Sequence, residues 1–63
     1  MTKLFPPALL ERFHVRFTGH ADLEVLSIGD LEAVAAARQI LMSRGVRNPQ
    51  TLASGRVTYV EAA

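Results

Sequence analysis

The segment RFHVRF, Arg12 to Phe17, alternates at every step: Phe13, Val15 and Phe17 fall on one side, Arg12, His14 and Arg16 on the other. A period of two belongs to a strand with one buried face, because successive side chains of an extended backbone point to opposite sides. Such a strand needs a neighbour for its backbone hydrogen bonds and a second layer over its apolar face. The rest of the chain must supply both.

LEVL, Leu23 to Leu26, is the nearest candidate neighbour, with Thr18 to Asp22 as the turn. An antiparallel hairpin over 12–26 is therefore expected. Pairing Phe17 with Leu23 and Val15 with Val25 keeps the apolar side chains together. The same register sets Arg16 opposite Glu24 and His14 opposite Leu26. Facing opposite charges add about 0.2–1 kcal/mol to a hairpin.

The second layer is a helix over 29–45. Ala33, Ala35, Ala36 and Ala37 give it strong intrinsic propensity. Ser27 and Asp30 match a capping pattern at its start, with Asp30 and Glu32 in the first turn and Arg44 in the last, as the macrodipole prefers. Gly45 suits a left-handed cap, with Val46 folding back on the last turn. On a helical wheel Arg38 falls between Leu31, Val34, Leu41 and Met42, the face expected to be most apolar. A buried, unpaired arginine costs several kcal/mol, about the penalty of an uncompensated charge, so a partner is required. Arg38 is expected to act as a structural clamp, its head reaching Glu24, Asp22 or Glu11. The alternative is a partner's carboxylate or phosphate.

Beyond the helix, RNPQ reads as a turn and Ser54-Gly55 as a tighter one. Arg56 to Glu61 reads as a strand with Val57 and Tyr59 inward and Thr58 and Val60 outward, and Thr51 to Ala53 as a short partner strand or loop. Residues 1–6 are expected to form an extended arm, with Pro6-Pro7 either opening a short turn through ALLE or continuing it. The predicted fold is a single small α+β domain over 1–63: a three- to four-stranded antiparallel sheet, in β-β-α-β order, packed on one helix.

Composition narrows the function. Sixty-three residues build one core at most. The absence of cysteine removes disulfides and thiol chemistry and suits a reducing cytoplasm. The start, MTKLFPPALL, lacks the unbroken apolar core of a secretory leader, and no run approaches the ~18 apolar residues of a membrane span. A net charge of +1 gives no bulk attraction to nucleic acid or anionic lipid, although six of the seven basic residues are arginines, suited to planar contacts with carboxylate or phosphate.

Ser27, Ser43 and Ser54 stand in no nucleophile context, and Asp30 and Glu32 lie on different sides of a helix. His14, His20 and Asp22 match no metal-ligand spacing. No catalytic residue, metal or cofactor is expected. The candidate binding residues are Arg12, His14, Arg16 and Glu24 on the open sheet face, with Ile40 and Arg44 on a helix flank. Ile40 and Ala33 are expected to face away from the core, and Leu26 and Val60 to lie on the open face. A small domain without disulfides that exposes such residues is expected to meet another chain.

The expected function is a non-enzymatic protein-binding module, of the kind phage and mobile elements use to inhibit a larger host or defence protein. One alternative is nucleic-acid binding through the arginine-rich face, as a dimer. For that role an exposed stacking aromatic is missing, since Phe13, Phe17 and Tyr59 are all assigned to the core. The other alternative is a structural or assembly subunit.

Overall fold

The computed structural model describes residues 10–62, and the arm expected over 1–6 lies outside them. Five elements follow in order: β1 (Glu11–Arg16), β2 (Leu23–Ser27), α1 (Asp30–Ser43), α2 (Pro49–Ala53) and β3 (Arg56–Ala62). The three strands form one antiparallel sheet in the order β2-β1-β3, with α1 packed on one face, so the α+β class holds. β1 is central, and the alternating segment is the strand flanked on both sides.

The core is small. Phe13, Val15, Phe17 and Val25 meet Ala33, Ala37 and Leu41, all buried, with Leu23, Val34, Ile40, Val46, Leu52 and Val57 packed around them. Ala33, Ala37 and Leu41 recur at intervals of four and form one stripe of α1. The helix is therefore rotated from the expected phase. Ala33 is buried and Ile40 packs against the core, whereas Leu31 is 83% exposed. Short alanine side chains let the helix backbone approach the large sheet residues, and this contact outweighs burial of Leu31.

The hairpin register differs from expectation by two residues. Phe13 pairs with Val25, Val15 with Leu23, His14 with Glu24, and Arg12 with Leu26. A slip of two keeps every side chain on its own face, so the hydrophobic pattern alone cannot distinguish the registers. The turn decides. His20 N donates to Phe17 O at 3.0 Å, with Gly19 at φ 82° in the position where a type II turn requires glycine. Phe17 thereby leaves the ladder and enters the core.

Ser27 is the buried last residue of β2 and does not cap α1; Gly29 occupies the N-cap with no side-chain hydrogen bond. At the other end Gly45 N donates to Met42 O and Val46 N to Leu41 O, both at 3.0 Å, with Gly45 at φ 96°. This is a Schellman termination. Arg44 is the C-cap residue just beyond the last turn. Pro49 does not end helical structure but starts it. Asn48 caps α2, its side chain accepting from Gln50 N and Thr51 N, and proline takes the first helical position. Residues 51–53 are therefore helix, not a fourth strand.

α2 is capped by Ser54, whose hydroxyl donates to Thr51 O and accepts from Thr18 N, tying this helix to the hairpin turn. Gly55 follows, and a Cβ built there would overlap the Phe17 ring. Gly55→Ala is therefore expected to destabilise the fold by about 1–3 kcal/mol, the usual cost of overpacking. Urea and thermal denaturation of the variant beside the parent measure it; equal stability would show that Phe17 moves freely.

Candidate functional site: the open sheet face

The face of the sheet away from α1 is built by alternation along β1 and by the pairing of its neighbours. Arg12, His14 and Arg16 project from β1, with Glu24 and Leu26 beside them on β2. β3 carries an irregularity against His14 and Val15: Val57 pairs with Val15, Tyr59 with His14 and Val60 with Phe13, leaving Thr58 as the extra residue. A bulge of one residue reverses the faces beyond it. Tyr59 accordingly joins the open face, where it is 58% exposed and its ring centroid lies 5.2 Å from that of His14. Val60 turns toward the helix side. Both assignments are opposite to the sequence expectation, which carried simple alternation through the whole strand.

The bulge also brings Glu61 opposite Arg12. Arg12 Nη1 donates to Glu61 Oε2 at 2.7 Å, and its Nε lies 3.9 Å from Glu24 Oε1. Arg16 Nε donates to Asp22 Oδ1 at 2.6 Å. Arg56 stands opposite Arg16. Three arginines on this face thus stand among three carboxylates, Asp22, Glu24 and Glu61. His14 sits at the centre. Its Nε2 is enclosed and has no hydrogen-bond partner among the described residues.

Apolar side chains gather at one end. Leu26, opposite Arg12, is 56% exposed. Leu10 and Ile28 flank the same end of the β1–β2 ladder, just beyond the Glu11–Ser27 pair, and both are exposed. Leu31 follows in the first turn of α1. On the open face Leu26 is thus an exposed apolar residue beside the charged middle, while Ile28 and Leu31 lie in the connection to α1 and its first turn.

Of the residues singled out from sequence, Arg12, His14, Arg16 and Glu24 are together on this face. Ile40 is not on an exposed flank, because it packs against the core, and Arg44 stands apart from the sheet face at the helix C-cap. Arg38 is half-buried and meets none of the three carboxylates expected. Its Nε donates instead to Leu52 O at 2.9 Å, joining α1 to α2. Sequence reasoning missed Tyr59, Glu61 and Arg56 as members of the face. The only signal was the adjacent pair Tyr59-Val60, which breaks the alternation of a one-sided strand. A shallow cleft of about 280 Å³ lies elsewhere, lined by Thr18, Asn48, Gln50 and Thr51, none of which ionises. No helix of the described residues is long and apolar enough to cross a membrane.

Compared with protein-family models, curated proteins and solved structures, the chain matches none.

Two outcomes are expected from this geometry. Arg38→Ala removes a charged donor from a half-buried carbonyl and should lower stability by about 1–2 kcal/mol; an unchanged melting temperature would show that Leu52 O needs no such donor. The hydrogen bond from Arg16, helped by its charge, holds the Asp22 carboxyl below the usual carboxylate range. A depressed pKa contributes stability that is present above the ordinary value near ~4 and is lost as pH falls through the folded-state value. Carboxyl ¹³C titration should place Asp22 below the ordinary value, and Arg16→Gln should raise its midpoint.

Proposed function

We propose that this chain is a small non-enzymatic protein-binding module that docks on a larger protein through the open sheet face. The observation that carries this reading is the division of that face. Arg12 and Arg16 are each engaged by a carboxylate of the same chain, while Leu26 and Tyr59 stand uncovered. A polyphosphate needs unpaired positive charge, since affinity for nucleic acid comes largely from neutralising phosphates. A protein surface needs apolar contact with a satisfied polar rim, and exposed aromatic residues are favoured anchors there. Inhibition of a host or defence protein, as phage and mobile-element proteins perform it, fits this mode because covering a surface requires no chemistry. A cysteine-free chain also suits a cytoplasmic setting.

Nucleic-acid binding is the second reading. It is favoured by one observation, the exposure of Tyr59 beside His14 on the face that carries Arg12, Arg16 and Arg56, which supplies the stacking aromatic that such a surface requires. Self-assembly is the third, supported by the exposure of Leu26, Ile28 and Leu31.

One set of titrations separates them. Labelled mixed-sequence DNA and RNA are titrated at 50 and 200 mM salt, alongside capture from nuclease-treated lysate by the parent and by a Leu26→Asp, Tyr59→Ser double variant. The protein-binding reading expects no micromolar nucleic-acid affinity and a captured protein whose binding falls by about tenfold or more in the variant. Micromolar binding that collapses at 200 mM salt would replace it with the nucleic-acid reading. Concentration-dependent self-association lost in the variant would replace it with assembly.

A further inference from the structure

Four side chains at the centre of the open face make a closed circuit. Glu24 presents Oε1 to Arg12 Nε at 3.9 Å and Oε2 to His14 Nδ1 at 3.9 Å. Glu61 presents Oε2 to Arg12 Nη1 at 2.7 Å and Oε1 to His14 Nε2 at 3.7 Å. Each carboxylate thus bridges the same two residues of β1, one from β2 and the other from β3. Arginine completes its side of the circuit at any ordinary pH. The imidazole side depends on a proton.

A neutral imidazole donates from one nitrogen only, and the other turns a lone pair outward. Here both ring nitrogens face carboxylate oxygens, so the neutral ring leaves one of them opposed to an acceptor. Nε2 is enclosed, and its Glu61 oxygen at 3.7 Å lies just beyond hydrogen-bond range. The neutral circuit also carries one cation against two anions, and protonation balances it. The remaining groups around the ring do not change this sense. Tyr59 covers it from β3, Arg56 on β3 stands opposite Arg16 and not His14, Arg16 on β1 is held by Asp22, whose carboxylate also interacts with the ring, and Thr58 Oγ1 donates to His14 O. α1 lies on the opposite face of the sheet.

We propose that Arg12, Glu24, His14 and Glu61 form a proton-operated brace, in which protonation of His14 ties β2 to β3 across β1. In its charged form the ring donates to Glu24 from Nδ1 and to Glu61 from Nε2, drawing both contacts from 3.7–3.9 Å into hydrogen-bond range. The stabilisation accompanies the protonated ring and is lost with its proton.

The test compares thermal melting of the parent, His14→Gln and His20→Gln at pH 5.5 and 8.0. The margin of the parent over His14→Gln should be wider at pH 5.5 by about 3 °C or more, and His20→Gln should keep the parent's pH dependence. A margin that is constant, or wider at pH 8.0, overturns the proposal. Should His14→Gln fail to fold, the unmodified protein decides by NMR. The side-chain carboxyl ¹³C resonances of Glu24 and Glu61 should step with the His14 ring between pH 8.0 and 5.5, and flat resonances overturn the brace. Neither measurement needs a partner, so this result is independent of the binding reading.

Discussion

Two alanines set the distance on which the rest of the molecule depends. Ala33 and Ala37 have no exposed surface and lie on the stripe of α1 that meets the sheet, where Phe13, Val15 and Phe17 supply the bulk. Large residues on one layer and small ones on the other are how a thin core reaches solid packing density. A chain of this size has no second core to compensate for a loose one. Gly55 extends the same principle to the connection before β3, where the Phe17 ring occupies the space a side chain would need.

This close approach explains why some of the fold was legible in the sequence and some was not. Alternation in β1 and the helix ending at Gly45 are local signals, and both correspond to what forms. The phase of α1 is not local. Judged by side-chain size, Leu31 belongs inside and Ala33 outside; judged by how near the helix must come, the order reverses. The hairpin register was ambiguous for a different reason, because alternation repeats every two residues and a turn of unknown type leaves that interval undetermined. Asn48 and Pro49 carry the usual signs of a helix start, but only five residues follow before Gly55, too few to show a periodicity.

The open face was half legible. Its β1 and β2 members follow from alternation, whereas the β3 members depend on the extra residue at Thr58. Without that bulge Glu61 would point to the helix side and Arg12 would lack its 2.7 Å partner. One unpaired residue thus gives Arg12 its carboxylate partner and leaves a tyrosine uncovered on the same face. Net charge and composition cannot register that change, since no residue is gained or lost.

The central position of β1 has a consequence for the order of events in folding. β1 is the first described element in the chain and β3 the last, yet they are hydrogen-bonded neighbours, with Glu11 opposite Ala62. β1 can hold β2 early, through a short loop, but its other edge stays unsatisfied until nearly the whole described chain is available. Contacts between residues so far apart in sequence close slowly, because chain entropy is lost before the pairing offsets it. Pairing of β3 with the free edge of β1 is thus the ladder closure that costs the most chain entropy among the described residues.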